Sequence, residues 1–193
     1  MNAATHLLAC QNILGEGPLW HPQEQKLYWV DILGEKIQRY DPQSAEYEQF
    51  AVGEAISVIG LRKRDGFIAA GAKGFSFWDA DSNQIKHIIN PEEGKTEARF
   101  NDGKVDRAGR FWAGTMTPQG VDSALYCLYA DLHVRRMLEG VTISNGIGWS
   151  PDACTMYYVD TRRYAIYAFD FDLERGEISN KRVLVQLSGK EGV

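Results

Sequence analysis

Gly17, Gly60, Gly103 and Gly146 stand 43 residues apart in a chain of 193, and the same succession of segments follows each of them. A short apolar strand comes first, then a polar turn, an aromatic-rich strand, a second turn and two further strands. In the first unit these are Pro18-Leu19-Trp20, the turn Pro22–Gln25, Leu27-Tyr28-Trp29-Val30-Asp31, Lys36–Tyr40 and Tyr47–Phe50. The second unit turns at Asp65-Gly66, a strong hairpin signal, the third at Ala108-Gly109 and the fourth at Pro151-Asp152. A four-stranded unit repeating every 40 to 50 or so residues is the sequence mark of a β-propeller, whose sheets bury their faces against one another around a channel. The repeated glycine is then expected on the strand nearest the axis, where backbones crowd. An unrelated β-sandwich would not produce the constant spacing.

Nineteen glycines with eight Phe, nine Tyr and five Trp agree with many short strands joined by tight turns, and no amphipathic helix of ordinary length is visible. The reading is all-β, one domain over residues 1–193. A leading strand, His6–Cys10, has no partner in its own repeat and is expected to complete the last blade. Four units fill about 172 residues, and arithmetic alone leaves closure at four or at six blades open.

Twenty-one basic against 26 acidic side chains give a net charge of −5, with Lys and Arg scattered rather than striped, which argues against nucleic acid. The longest basic cluster, Arg62-Lys63-Arg64, reads as a solvated turn. With no apolar run of about 18 residues and no secretion signal at the start, no membrane association is expected and the cytoplasm is the default compartment. Cys10, Cys127 and Cys154 fit neither a disulfide framework nor a metal motif and read as small core residues.

Inner strands of a propeller aim residues into the channel mouth, so polar groups beside the repeated glycines should converge. Glu16, Ile59, Asp102 and Asn145 precede the four glycines, with Asn101 and Arg99 just upstream of Gly103. Oxygen donors without neighbouring His or Cys favour hard divalent cations such as Ca²⁺, Mg²⁺ or Mn²⁺, and Zn²⁺ accepts them too. For any one of these residues the plainer reading is a solvated charge or a turn former; their shared place in the repeat weighs against it. His6, His21, His87 and His133 show no ligand spacing. There is no nucleophile elbow, and Lys73-Gly74 lacks the phosphate-loop pattern.

Three segments together resemble the regucalcin/gluconolactonase family: Ile13–Trp20, Arg99–Asp106 with Ala113-Gly114-Thr115-Met116 downstream, and Ile143–Asp152. The likeness covers nearly the whole chain. It implies a six-bladed propeller, about four to four and a half blades of which are present, and one divalent metal (Ca, Zn, Mn or Mg) in the channel. It implies hydrolysis of a sugar lactone to the aldonic acid. Carried over residue by residue, Glu16 and Asn145 would be metal ligands, and Arg99 and Asn101 catalytic residues contacting substrate or metal-bound water. The alternative reading is a non-catalytic, calcium-binding regulatory propeller.

Two departures bear on this reading. The family's third ligand, an aspartate in a Pro-Asp-Gly motif, would begin about where the chain stops, so the chain is expected to be C-terminally incomplete and to self-associate through open propeller edges. An acidic residue that some members use for substrate appears here as Gln119, so substrate preference is expected to differ, governed by the loops Pro91–Ala98 and Pro118–Ser123.

Overall fold

A computed structural model describes residues 5–95 and 97–188. Each 43-residue unit becomes one antiparallel sheet whose strands lie in chain order. The first sheet holds β1 (Gly15–His21), β2 (Lys26–Asp31), β3 (Lys36–Tyr40) and β4 (Tyr47–Ala51). The second holds β5 (Ile56–Leu61), β6 (Phe67–Gly71), β7 (Gly74–Asp79) and β8 (Gln84–Ile89). The third is built from β9 (Arg99–Val105), β10 (Phe111–Met116), β11 (Ser123–Leu128) and β12 (Val134–Val141). The fourth has β13 (Ser144–Trp149), β14 (Thr155–Asp160), β15 (Ala165–Asp172) and β16 (Glu177–Gln186), with a 3-10 turn at Thr161–Arg163. The first strands of successive sheets, β1, β5, β9 and β13, pack side by side. These are four blades of a propeller. No helix among the described residues is long and apolar enough to cross a membrane.

The core lies between the blades rather than within one. Tyr28, Val30 and Ile37 of the first sheet meet Ile59, Phe67, Ala69 and Trp78 of the second. On the other face of that second sheet, Val58, Ile68, Ala70 and Phe75 meet Phe100, Phe111, Ala113 and Tyr126 of the third. Trp112, Leu125 and Cys127 then meet Met156, Tyr158, Tyr167 and Phe169 of the fourth. Successive residues of a strand point to opposite faces, so a blade covered on both sides must be apolar at every position. This is why Phe67–Gly71 is buried throughout.

Two expectations need correction, and a third holds with a difference. His6–Cys10 forms no strand: each of the four sheets is built from the four strands of its own repeat, and none of them takes this segment as a fifth. Of the cysteines only Cys127 is in the core, its thiol pushed up to about 12 by burial, whereas Cys10 is half-buried and Cys154 is exposed. The repeated glycines all fall on inner strands, but they do not share one structural place. Gly60 and Gly103 are paired, opposite Ile68 and Ala113. Gly17 and Gly146 sit in register shifts with φ of 58° and 39°.

Candidate functional site at the channel mouth

Each inner strand carries a β-bulge near its start, and the bulges decide which side chains reach the mouth. A bulge leaves one residue unpaired and re-aims its neighbours. In β1 the break lies between Glu16 and Leu19, in β13 between Asn145 and Ile147. In β5 the residue left over is Ser57, and in β9 it is Asn101, between Phe100 paired with Thr115 and Asp102 paired with Gly114. Gly146 has to be glycine on two counts: its φ is left-handed, and a Cβ there would lie 2.7 Å from Val159 Cγ2.

Two aspartates fix where these strands enter. Asp31, at the end of β2, accepts hydrogen bonds from the backbone N–H of Ile13 (3.1 Å), Leu14 (2.9 Å) and Gly34 (3.1 Å), just ahead of Glu16. Asp160, at the end of β14, accepts from the Thr142 and Ile143 N–H groups, just ahead of Asn145. Both carboxylates are buried.

Arg99 is the hub. Its Nη1 donates to Phe100 O (2.9 Å), Asn101 Oδ1 (3.0 Å) and Ser57 Oγ (3.3 Å), tying β9 to β5. Burial lowers the pKa of the guanidinium, and the Glu16 carboxylate of β1 acts on it in the opposite sense without forming an ion pair. Asn101 Nδ2 donates to Ser144 O at 2.9 Å, tying β9 to β13 immediately beside Asn145. The Asn145 amide is steadied by Thr161 Oγ1 at 3.2 Å, and its Oδ1 accepts from Gly146 N at 3.1 Å. Ser57, Arg99, Asn101 and Ser144 are thus linked through one hydrogen-bond chain across blades two, three and four, which ends beside Asn145; Glu16 of blade one makes no hydrogen bond or ion pair with it. Ser57 and Ser144 belong to that chain and Thr161 steadies the Asn145 amide beside it; Ser57 and Thr161 lie outside every segment that resembles the family, and Ser144, inside one, takes part through its backbone oxygen.

Asp102 lies in a cavity of about 480 Å³ that runs along the inner strands and is lined by Gly17, Val58, Gly60, Gly103 and Ile147 among others. Its carboxylate accepts from Gly103 N at 2.7 Å. Burial raises its pKa; the N–H groups of Gly103 and Gly146 and the charge of Lys104 offset part of that rise.

Among the described residues no three His, Cys, Asp or Glu side chains come together as a metal-holding group. The donors that fit a cation are oxygens. Glu16 is solvent-exposed, and Asn145 Oδ1, with one accepted N–H, keeps a free lone pair. One carboxylate and one amide oxygen suit a hard divalent ion in kind, as part of a ligand shell.

Residues 14–193 match the family model described as the SMP-30/Gluconolactonase/LRE-like region. Regucalcin of Xenopus laevis is 37% identical over 187 residues, a match that covers 93% of this chain and 62% of that protein. The chain therefore spans less than two thirds of the length of the relative. Among solved structures, a calcium-binding protein, regucalcin, from Agrobacterium tumefaciens superposes with a TM-score of 0.90 at 24% identity, over 96% of this chain and 64% of that one. A gluconolactonase from Xanthomonas campestris superposes at 0.75 with 21% identity, over 92% and 64%. These two superpositions bear on the fold alone.

Proposed function

Since the chain belongs to the SMP-30/gluconolactonase/LRE-like family, we propose that it forms the larger part of a metal-dependent sugar lactonase, opening the cyclic ester to the aldonic acid. The observation that carries this reading is the hydrogen-bonded linkage of Arg99 through Asn101 to Ser144, beside Asn145.

Glu16 and Asn145 Oδ1 are the oxygens that would hold a divalent cation. When bound, such an ion supplies Lewis acidity toward a carbonyl oxygen. Arg99 has donors beyond those it spends on Phe100, Asn101 and Ser57. Its partial desolvation strengthens each hydrogen bond it makes to a ring oxygen or hydroxyl. Asn101 keeps one amide hydrogen and one lone pair after serving Ser144 and Arg99, enough to orient a substrate hydroxyl.

The test is to mix the protein with gluconolactone and Mn²⁺, Zn²⁺ or Ca²⁺ and follow acid release. A metal-dependent rate above buffer is expected, reduced by about 10- to 100-fold in Glu16→Gln. No metal-dependent rate, or an unchanged rate in Glu16→Gln, contradicts the catalytic reading. Saturable Ca²⁺ binding with no hydrolysis supports instead a non-catalytic, calcium-binding propeller. The all-oxygen donor set favours that second reading equally.

A further inference from the structure

The loop from β10 to β11, residues 117–122, leaves the third blade at Met116. That residue pairs with Arg99 of β9 and also bridges Ile143 of the fourth blade, two positions before Asn145. The loop therefore starts between the Arg99 and Asn145 sides of the site. It is a compact turn in itself, with Gly120 N donating to Thr117 O (2.9 Å) and Thr117 Oγ1 donating to Val121 O (2.9 Å). A turn closed on itself in this way moves as one piece unless outside contacts fix where it stands.

Such contacts come from both sides. On the side of blade two, Lys95 Nζ donates to Asp122 O at 2.9 Å, and Gln119 Nε2 donates to Glu97 Oε2 at 2.7 Å. Lys95 is in turn held by Glu92, whose Oε2 lies 2.6 Å from Nζ, an ion pair rather than an aligned hydrogen bond. The Glu92 side chain is only 4% exposed. Its Oε1 accepts from the Tyr126 hydroxyl of β11 at 2.7 Å, with Thr115 Oγ1 of β10 at 3.3 Å. A carboxylate is costly to bury, and donors and a cation must meet it where it is buried. Here they anchor the foot of Lys95 in the third blade. On the side of blade four, Arg162 Nη2 donates to Pro118 O at 2.8 Å. The Arg162 side chain lies across Gly120, where φ is 67° and a Cβ would come within 2.7 Å of Arg162 Cδ. Its neighbour Thr161 steadies the Asn145 amide, so one short turn serves both the loop and that amide.

We propose that Glu92, Lys95 and Arg162 are positioning residues that fix loop 117–122 as a wall of the lactone site, against which the sugar ring is fitted. The inference rests on the lactonase reading and concerns substrate binding rather than the reacting atoms. Among the described residues, none of the three hydrogen-bonds to Arg99, Asn101 or Asn145.

The test measures kcat and KM for gluconolactone with Mn²⁺ in wild type, Lys95→Met, Arg162→Met and Glu92→Gln, together with hydrogen exchange at the Gly120 and Val121 amides. Lys95 and Arg162 are solvent-exposed, so their variants are expected to fold even if Glu92→Gln does not. Losing a tie loosens the wall without displacing a reacting group. KM should therefore rise about tenfold while kcat stays within about threefold of wild type, the pattern of lost ground-state binding. Exchange at Gly120 and Val121 should quicken in each variant. Lys95→Arg keeps the charge and a donor and should recover most of the binding. Because Glu92 and Lys95 act as a pair, Glu92→Gln with Lys95→Met should be no worse than the worse single variant. An unchanged KM in both Lys95→Met and Arg162→Met, or a fall in kcat that accounts for the whole loss in kcat/KM, overturns the proposal. If wild type opens no lactone, the lactonase reading fails and exchange alone decides the ties: quickening upholds them, and no change overturns them.

Discussion

Asp31 shows how one side chain can carry a strand's position. Burial pushes its carboxyl up, but the N–H groups of Leu14, Ile13 and Gly34, with the charge of Lys36, more than offset this, so it titrates below the ordinary range. A group whose folded pKa is depressed stabilises the fold above its unfolded pKa, about 4, and loses that contribution as pH falls through the folded value. Asp31→Ala leaves three backbone donors without their acceptor and is expected to cost about 2–4 kcal/mol in urea unfolding near neutral pH. Below about pH 4 the gap between wild type and variant should shrink. A gap that stays constant from pH 7 to pH 3 would show that the carboxylate is not what holds residues 13–14.

Among the elements, inner strands and outer strands behave differently. The second and third sheets are covered on both faces, but β16 is exposed along most of its length, with Val183, Leu184 and Val185 in solvent and Leu187 just beyond it. Its polar residues partly blunt this edge, through the Arg182–Asp170 ion pair at 2.7 Å and Lys181 Nζ at 3.9 Å over the Tyr167 ring. Apolar exposure of this kind drives association. We expect concentration-dependent oligomers in sedimentation velocity, shifted toward monomer by Val183→Lys with Val185→Lys. A monomer at every concentration would refute this. The strands themselves were legible because alternation, aromatic content and turn residues are local. The bulges were not, because they depend on cross-strand register. This is why four equally spaced glycines resolved into two bulge residues and two paired ones, and why Ser57 went unnoticed beside Arg99. Arg99, Asn101, Glu16 and Asn145 were picked out by their resemblance to known motifs and by their place next to those glycines; the aspartates that fix their strands, Asp31 and Asp160, carried no such mark.

At the scale of the molecule, residues 129 positions apart, Glu16 and Asn145, matter to one another only because four sheets are arranged around a shared axis. The hydrogen-bond chain from Ser57 through Arg99 and Asn101 to Ser144 crosses three blades, so the mouth is as rigid as the packing between those blades. The measurement that tests this most directly is a Ca²⁺ titration by calorimetry of wild type, Glu16→Gln, Asn145→Ala and the double variant. One shared site predicts saturable binding in wild type, a loss of about 10-fold or more in each single variant, and a double variant that departs from the sum of the singles because both residues serve the same ion. Full wild-type affinity in either single variant, or strictly independent effects of the two, would contradict it.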